Sequence, residues 1–80
     1  MKQVTLRYFA SLRDAAGMAE EIVHTSAPCL RDLYEEVRAR HAFRWTPAHL
    51  RVAMDGDFSD WDAAVRDGSE IALIPPVSGG

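Results

Sequence analysis

The sequence contains few of the residues and patterns on which enclosed active sites depend. It has one cysteine, Cys29, which excludes an internal disulfide bond and a zinc site built from cysteines. The histidines are His24, His41 and His49, and their spacing matches no common arrangement of metal ligands. No Gly-rich phosphate loop, Ser-His-Asp arrangement or pair of catalytic carboxylates can be recognised. The sequence therefore predicts no metal site and no complete catalytic site.

The chain also lacks an excess of positive charge and any long apolar run. Its net charge is −3, which argues against non-specific binding to nucleic acid or to an anionic membrane. No run approaches the roughly 18 apolar residues that a membrane span needs. The first residues, Met1 to Arg7, lack the continuous apolar region of a signal peptide, so we expect a cytoplasmic protein.

The length of 80 residues indicates one domain with one small core and no deep cleft. Alternating apolar residues predict strands, with Val4, Leu6 and Tyr8 on one face of the first. Asp55-Gly56 is typical of a tight hairpin turn between two of the later strands. The five predicted strands are Gln3–Phe9, Glu20–Thr25, Leu50–Met54, Asp57–Ser59 at an edge, and Glu70–Ile74 at the centre.

One segment has the repeat of an amphipathic helix. It runs from Leu30 to His41, and its apolar stripe consists of Leu30, Leu33, Tyr34, Val37 and His41. Glu36 and Arg40 are spaced to form an ion pair on its outer face. A shorter helix is predicted over Phe9–Ala16, closed by Gly17. The segment Ala42–His49 is predicted to be a connection.

The order of these elements is β, short α, β, α, β, β, β, which predicts an α+β fold. If the first and last strands are both central, they lie parallel and adjacent, and the main helix crosses one face of a mixed five-stranded sheet. That is the ubiquitin-like β-grasp arrangement. We therefore expect a β-grasp domain over residues 1–74 and an extended tail over residues 75–80.

The tail is the most distinctive stretch of the sequence. Pro75 and Pro76 cannot continue a sheet ladder, because proline has no N–H to donate, and they favour an extended exit from the last strand. The sequence then ends in Gly79-Gly80, which can enter a channel too narrow for any Cβ atom. The alternative interpretation is an ordinary frayed terminus.

Two other features have functional and ordinary interpretations. Cys29 precedes the main helix, where a thiol can become reactive, but it is more simply a small residue at a helix start. The acidic cluster of Asp55, Asp57, Asp60 and Asp62 lacks the Glu and Gly of a calcium loop. It is better interpreted as a solvated hairpin that can attract a basic partner.

The segment Asp67-Gly68-Ser69-Glu70-Ile71-Ala72-Leu73-Ile74-Pro75-Pro76-Val77-Ser78-Gly79-Gly80 resembles the C-terminal signature of the molybdopterin synthase small subunit family (MoaD type). The segment Phe9-Ala10-Ser11-Leu12-Arg13-Asp14 with Gly17 is similar to the first strand–helix junction of that family. The sequence departs from the family pattern at Ser69, Asp55 and Cys29, and none of these positions lies in the tail.

The resemblance implies a β-grasp sulfur carrier. In that family an E1-like adenylating enzyme uses ATP to activate the terminal carboxylate, here that of Gly80, next to Gly79. A persulfide protein supplies sulfur, and the resulting thiocarboxylate donates it to precursor Z inside the large synthase subunit. The resemblance also implies a heterotetramer with that subunit, and no cofactor bound by this chain itself.

The resemblance assigns partner contacts to Phe9, Phe58 and Ile74, and to the tail residues Pro75, Pro76, Val77 and Ser78. The alternative for the first three is that they are ordinary core residues or isolated apolar surface residues. Two other functions remain open. One is a related sulfur carrier for thiamine or tRNA thiolation, and the other is a ubiquitin-like modifier that is joined to lysines.

Overall fold

The structure is a computed structural model that describes residues 1–76 of the chain. Its elements follow the predicted order, with bounds that differ by a residue or so from the expected ones. They are β1 (Lys2–Tyr8), α1 (Ala10–Ala16), β2 (Glu20–Thr25), α2 (Leu30–His41), a 3₁₀ turn (Pro47–His49), β3 (Arg51–Met54), β4 (Asp57–Ser59) and β5 (Glu70–Ile74).

Within the described residues the strands form one five-stranded sheet in the order β2-β1-β5-β3-β4. β1 and β5 are parallel neighbours, paired from Thr5–Glu70 to Tyr8–Leu73. β2 pairs antiparallel with β1, and β3 pairs antiparallel with both β4 and β5. The predicted mixed sheet, with its first and last strands parallel and adjacent, is confirmed.

The core lies between α2 and one face of the sheet. The first four residues of the predicted helix stripe are buried, and His41 is half-buried at its end. Because side chains alternate along a strand, every second residue of the sheet joins this core. Those residues include Val4, Leu6, Tyr8, Val23, Val52, Ile71 and Leu73. The residues between them point to the opposite side, which we call the open face.

Glycines close two of the tight turns. α1 ends at Gly17, which has a left-handed φ of 75° and donates its N–H to the carbonyl of Arg13. The β3–β4 hairpin turns at Asp55 and Gly56, with φ values of 53° and 91°. Two positive φ angles in succession are the mark of a type I′ turn, so the predicted hairpin is confirmed.

One expectation about local structure is wrong, and the structure adds a detail to another. Glu36 and Arg40 do not pair with each other, because each has a tertiary partner: Glu36 accepts a hydrogen bond from Thr25 Oγ1, and Arg40 donates to Glu21. The connection before β3 is not wholly irregular, since Pro47–His49 forms a 3₁₀ turn with proline at its start. Proline favours that position because its φ is already helical.

Candidate functional site

The tail leaves the domain from the middle of the sheet. β5 ends at Ile74, which pairs with Arg51 of β3, while Leu73 pairs with Tyr8 of β1. Neighbours on both sides therefore hold the strand along its length. Pro75 is buried and Pro76 is exposed. The remaining predicted site residues, Val77, Ser78, Gly79 and Gly80, lie outside the described residues, and their roles stay predictions.

A groove runs beside the base of the tail. Its walls are the 3₁₀ turn and the start of β3 on one side and the last residues of β5 on the other. The lining residues are Ala48, His49, Leu50, Arg51, Ile74, Pro75 and Pro76. The 3₁₀ turn, which the sequence did not predict, thus forms one wall of the groove. His49 and Arg51 are exposed, so the groove is apolar at its floor and basic at its rim.

The three predicted contact residues all belong to the open face. Phe9 and Phe58 are 40% and 65% exposed, and Ile74 is half-buried. The strand register places Arg7, Ala72, Ala53 and Phe58 in one row across four strands. Alanines at the middle of this row leave a low, apolar surface between the larger side chains. The open face can therefore receive a protruding apolar surface of a partner.

Both exposed phenylalanines lie next to an arginine. The Arg7 guanidinium carbon is 5.9 Å from the centre of the Phe9 ring, and that of Arg51 is 5.2 Å from the centre of the Phe58 ring. Such exposed cation–π contacts contribute about 0.5–1 kcal/mol each. The open face thus combines apolar and positively charged groups, which favours a partner surface that is apolar with acidic groups around it.

Asp55 and Asp57 of the acidic cluster lie at the hairpin end of the sheet, away from the tail, whereas Asp60 and Asp62 follow the opposite end of β4. Asp55 accepts a hydrogen bond from the backbone N–H of Glu70 at 2.9 Å and pairs with Arg66, and Asp62 pairs with Arg31. These carboxylates hold turns and connections in place. Among residues 1–76 no three or more His, Cys, Asp and Glu side chains converge as metal ligands would. In the same residues no helix is long and apolar enough to cross a membrane.

Cys29 occupies the N-cap position of α2, as its place in the sequence indicated. Its side chain makes no capping hydrogen bond, and it is half-buried. Its backbone forms an isolated bridge with Ala64. The structure thus gives the backbone of Cys29 a structural role at the start of α2, and no second thiol lies beside its side chain.

A polar network that the sequence patterns did not predict ties α2 to the sheet. Tyr8 Oη donates to Glu21 Oε1 at 2.6 Å, His41 Nε2 lies 2.9 Å from the same oxygen, and Arg40 donates to Oε2 at 3.0 Å. Burial raises the pKa of Tyr8, and its bond to Glu21 raises it further. Burial also acts to raise the pKa of Glu21, but the hydrogen bonds from Tyr8, His41 and Arg40 outweigh it and hold that pKa below its ordinary value.

A signal for this network was present in the sequence. Glu21 falls on the core-facing side of a predicted strand, and His41 continues the apolar stripe of α2. A carboxylate on a core face needs partners, because burying an unpaired charge is costly. The partners themselves come from two other elements, β1 and α2, which meet β2 only in the folded chain.

Fold and site together define a small ubiquitin-like β-grasp domain whose central strand, β5, leads directly into Pro75 and Pro76. The profile of the ThiS family matches residues 6–80, and the chain belongs to that family. It is a β-grasp protein of the sulfur-carrier type.

Relatives of known sequence or structure agree with this family. The molybdopterin synthase sulfur carrier subunit of Escherichia coli is 28% identical over 81 residues, which cover 96% of this chain and 99% of that one. A putative molybdopterin converting factor, subunit 1, from Pyrococcus furiosus is 30% identical with a TM-score of 0.80, over 96% of this chain and 100% of that one. The protein SAMP1 from Haloferax volcanii is 25% identical with a TM-score of 0.81, over 98% and 99%. The resemblance drawn from the tail motif is thereby confirmed.

Proposed function

We propose that this chain is the sulfur-carrier small subunit of a molybdopterin synthase and acts in the cytoplasm. The observation that carries the proposal is the extent of the family match, which runs from residue 6 to residue 80 and so includes the Gly-Gly end. The E. coli relative, a sulfur carrier subunit of that synthase, aligns over nearly the whole of both chains.

The proposed chemistry takes place on the carboxylate of Gly80. A carboxylate is a poor electrophile, so an E1-like enzyme first transfers AMP from ATP to it, and pyrophosphate leaves. The terminal sulfur of a cysteine persulfide then attacks the acyl carbon, and AMP leaves. A thiol reduces the resulting acyl disulfide and frees the thiocarboxylate, which is the nucleophile that delivers sulfur to precursor Z.

In this proposal the described residues dock the domain and aim the tail. β5 fixes the point from which the tail leaves, and the groove beside Pro75 and Pro76 sets its direction. Phe9, Phe58 and Ile74 contact the large subunit, with which the chain forms a heterotetramer. A narrow channel in that subunit admits Gly79 and Gly80, which have no side chains to obstruct it.

The test of sulfur carriage is mass spectrometry of the C-terminal peptide. The full chain is incubated with an E1-like enzyme, ATP and a persulfide donor. We expect one oxygen of Gly80 to be replaced by sulfur, and no such product from a variant that lacks Gly80. Both proteins should unfold at the same temperature, because the deletion leaves every residue of the buried core in place. Wild-type sulfur transfer by the deletion variant would rule out the proposal.

The docking role of Phe58 has a matched control on the same face. Ile22, on β2, is 60% exposed against 65% for Phe58 and lies at the other edge of the sheet. We expect Phe58→Ala to weaken binding to the large subunit by about ten-fold or more, as the loss of a central aromatic contact does, and Ile22→Ala to leave it unchanged. Calorimetric titration measures both. Equal affinities of the two variants for the large subunit would show that Phe58 does not contribute to the interface.

The similarity to SAMP1, which another solved structure describes as a small archaeal modifier protein, favours a second candidate function. In that function the activated Gly80 is joined to lysines of other proteins. Proteomic analysis of cells then finds the C-terminal Gly-Gly on lysine side chains and no thiocarboxylate. A carrier for thiamine or tRNA thiolation instead forms the thiocarboxylate but fails to convert precursor Z when it is mixed with the large subunit.

A further inference from the structure

The outer edge of β2 has unpaired hydrogen-bonding groups in a defined pattern. Tyr8 donates its backbone N–H to the carbonyl of Ala19, directly opposite it, at 2.9 Å. Antiparallel pairs alternate, so Leu6–Glu21 and Val4–Val23 are also hydrogen-bonded pairs. The N–H and C=O groups of the residues between them on β2, Glu20, Ile22 and His24, therefore point away from β1. Within residues 1–76 no other strand pairs with this edge.

The same three residues place their side chains together on the open face. Glu20, Ile22 and His24 are all exposed, and Ile22 is 60% exposed although it is a large apolar residue. An acidic residue and a histidine thus lie symmetrically on either side of an isoleucine. Exposed edge strands usually carry features that prevent pairing, such as a proline, a bulge or charged side chains. β2 has no proline and no bulge, its one exposed carboxylate is that of Glu20, and its central exposed residue is apolar.

We propose that β2 pairs antiparallel with β2 of a second copy of this chain, centred on Ile22. In this register Ile22 lies opposite Ile22, and each Glu20 lies opposite His24 of the other copy. All three outward-pointing residues then form hydrogen-bonded pairs, with up to about six backbone hydrogen bonds in total. A shift of two residues breaks at least one pair and places Ile22 opposite Glu20 or His24, depending on the direction of the shift.

A second copy fits this edge because the strand is complementary to itself. A two-fold interface brings the same patch of both subunits together, so residue i meets residue j and residue j meets residue i. Glu20 and His24 satisfy that condition, since each carboxylate meets an imidazole of the other copy. On its own sheet Glu20 lies opposite Arg7 in the strand register.

The pairing leaves the proposed sulfur-transfer site accessible. β5 is the third strand from the β2 edge, and β4 with Phe58 is the fifth. With strands about 4.8 Å apart, the two β5 strands lie about 24 Å from each other. The two-fold axis makes them antiparallel, so the tails leave in opposite directions. Two large subunits can bind the same dimer from its two ends.

Sedimentation velocity over a range of concentrations tests the association. We expect the mass to rise from the 8.9 kDa of the monomer towards twice that value as the concentration increases. Ile22→Lys places two positive charges opposite each other at the centre and abolishes the rise. Phe58→Lys changes an equally exposed residue at the other edge and leaves it intact. A wild-type chain that stays monomeric at millimolar concentration, or equal effects of the two variants, would overturn the proposal.

Two further experiments test the register. Glu20→Lys and His24→Glu each weaken the dimer at least several-fold, and the double variant restores it, because the opposite charges face each other again. In a Cys29→Ser background, Ile22→Cys forms an intermolecular disulfide on oxidation, since paired residues of this kind have Cα atoms about 5.5 Å apart. Phe58→Cys does not. Failure of the charge swap to restore association, or equal cross-linking at both positions, contradicts the register.

Discussion

Replacement of Glu21 by Gln tests whether the network at the end of α2 stabilises the fold. The Glu21 side chain is 17% exposed and that of His41 12% exposed, so most of this contact is removed from water. Glu21→Gln keeps the shape of the side chain and one acceptor oxygen. It removes the negative charge that Tyr8, His41 and Arg40 surround.

The expected loss follows from the strength of hydrogen bonds to charged and neutral groups. Hydrogen bonds to charged groups contribute about 1.5–3 kcal/mol, and those between neutral groups contribute about 0.5–1.5 kcal/mol. In Glu21→Gln, the hydrogen bonds of Tyr8 and His41 to residue 21 are each weakened by the difference between these two contributions. Arg40 is half exposed, and an ion pair in contact with water contributes little, so its share is small. Together these give a fall of about 2–3 kcal/mol in the free energy of unfolding.

The pH dependence has a definite sign. The folded state lowers the pKa of Glu21 from its ordinary value of about 4.5, so the unfolded chain binds a proton more readily than the folded one. The contribution of Glu21 is fully present above that ordinary value. It is lost as the pH falls through the lower, folded pKa. The difference in stability between wild type and Glu21→Gln should therefore shrink in acid.

Urea unfolding followed by circular dichroism measures both effects. Curves are recorded in dilute solution at neutral pH and at several values below the ordinary pKa of a glutamate. Glu20→Gln is the control, because Glu20 is adjacent in sequence but exposed. We expect it to change the stability by no more than about 0.5 kcal/mol. Equal stabilities for Glu21→Gln and wild type at neutral pH, or a difference that stays constant in acid, would refute the reasoning.

Two further predictions concern a buried phenol and a turn. Tyr34 Oη donates to the carbonyl of Trp45 at 2.5 Å, so Tyr34→Phe should cost about 1–2 kcal/mol in urea unfolding, and an unchanged midpoint would contradict this. Burial raises the pKa of Tyr34 to about 12, so the same variant should lose a phenolate absorbance step near that pH and no earlier step. A Cβ atom added at Gly56 meets no atom within 4 Å, so the loss of stability in Gly56→Ala comes only from the φ of 91°. We expect about 1 kcal/mol in thermal unfolding, and a stability equal to wild type would show that the turn relaxes freely.

Local patterns were sufficient to predict most of this fold. The alternation in β1, the stripe of α2 and the Asp55-Gly56 pair each reflect contacts between residues close in sequence or facing one core. The central position of β5 followed from its apolar residues. Local patterns do not predict the partners of Glu36 and Arg40. Their spacing suits an ion pair, but Thr25 and Glu21 compete for them, and both lie on a strand that only the folded chain brings near.

The candidate site was predictable to a similar degree. The places of Phe9, Phe58 and Ile74 on one face follow from the period of a strand once the sheet order is known. The groove beside Pro75 was not predictable, because the 3₁₀ turn that forms one wall lies 26 residues or more before it in the chain. Its position depends on the packing of β3 against β5.

The parallel pairing of β1 and β5 also determines how the domain responds to mechanical force. The chain enters the sheet at the start of β1 and leaves it at the end of β5, and these strands are neighbours that run in the same direction. Tension between the two ends therefore slides one strand along the other. In this shearing geometry all the hydrogen bonds between the strands carry the tension together, whereas peeling would break them one at a time. A domain pulled by its tail while its first strand is held should resist extension until the whole β1–β5 pair fails at once.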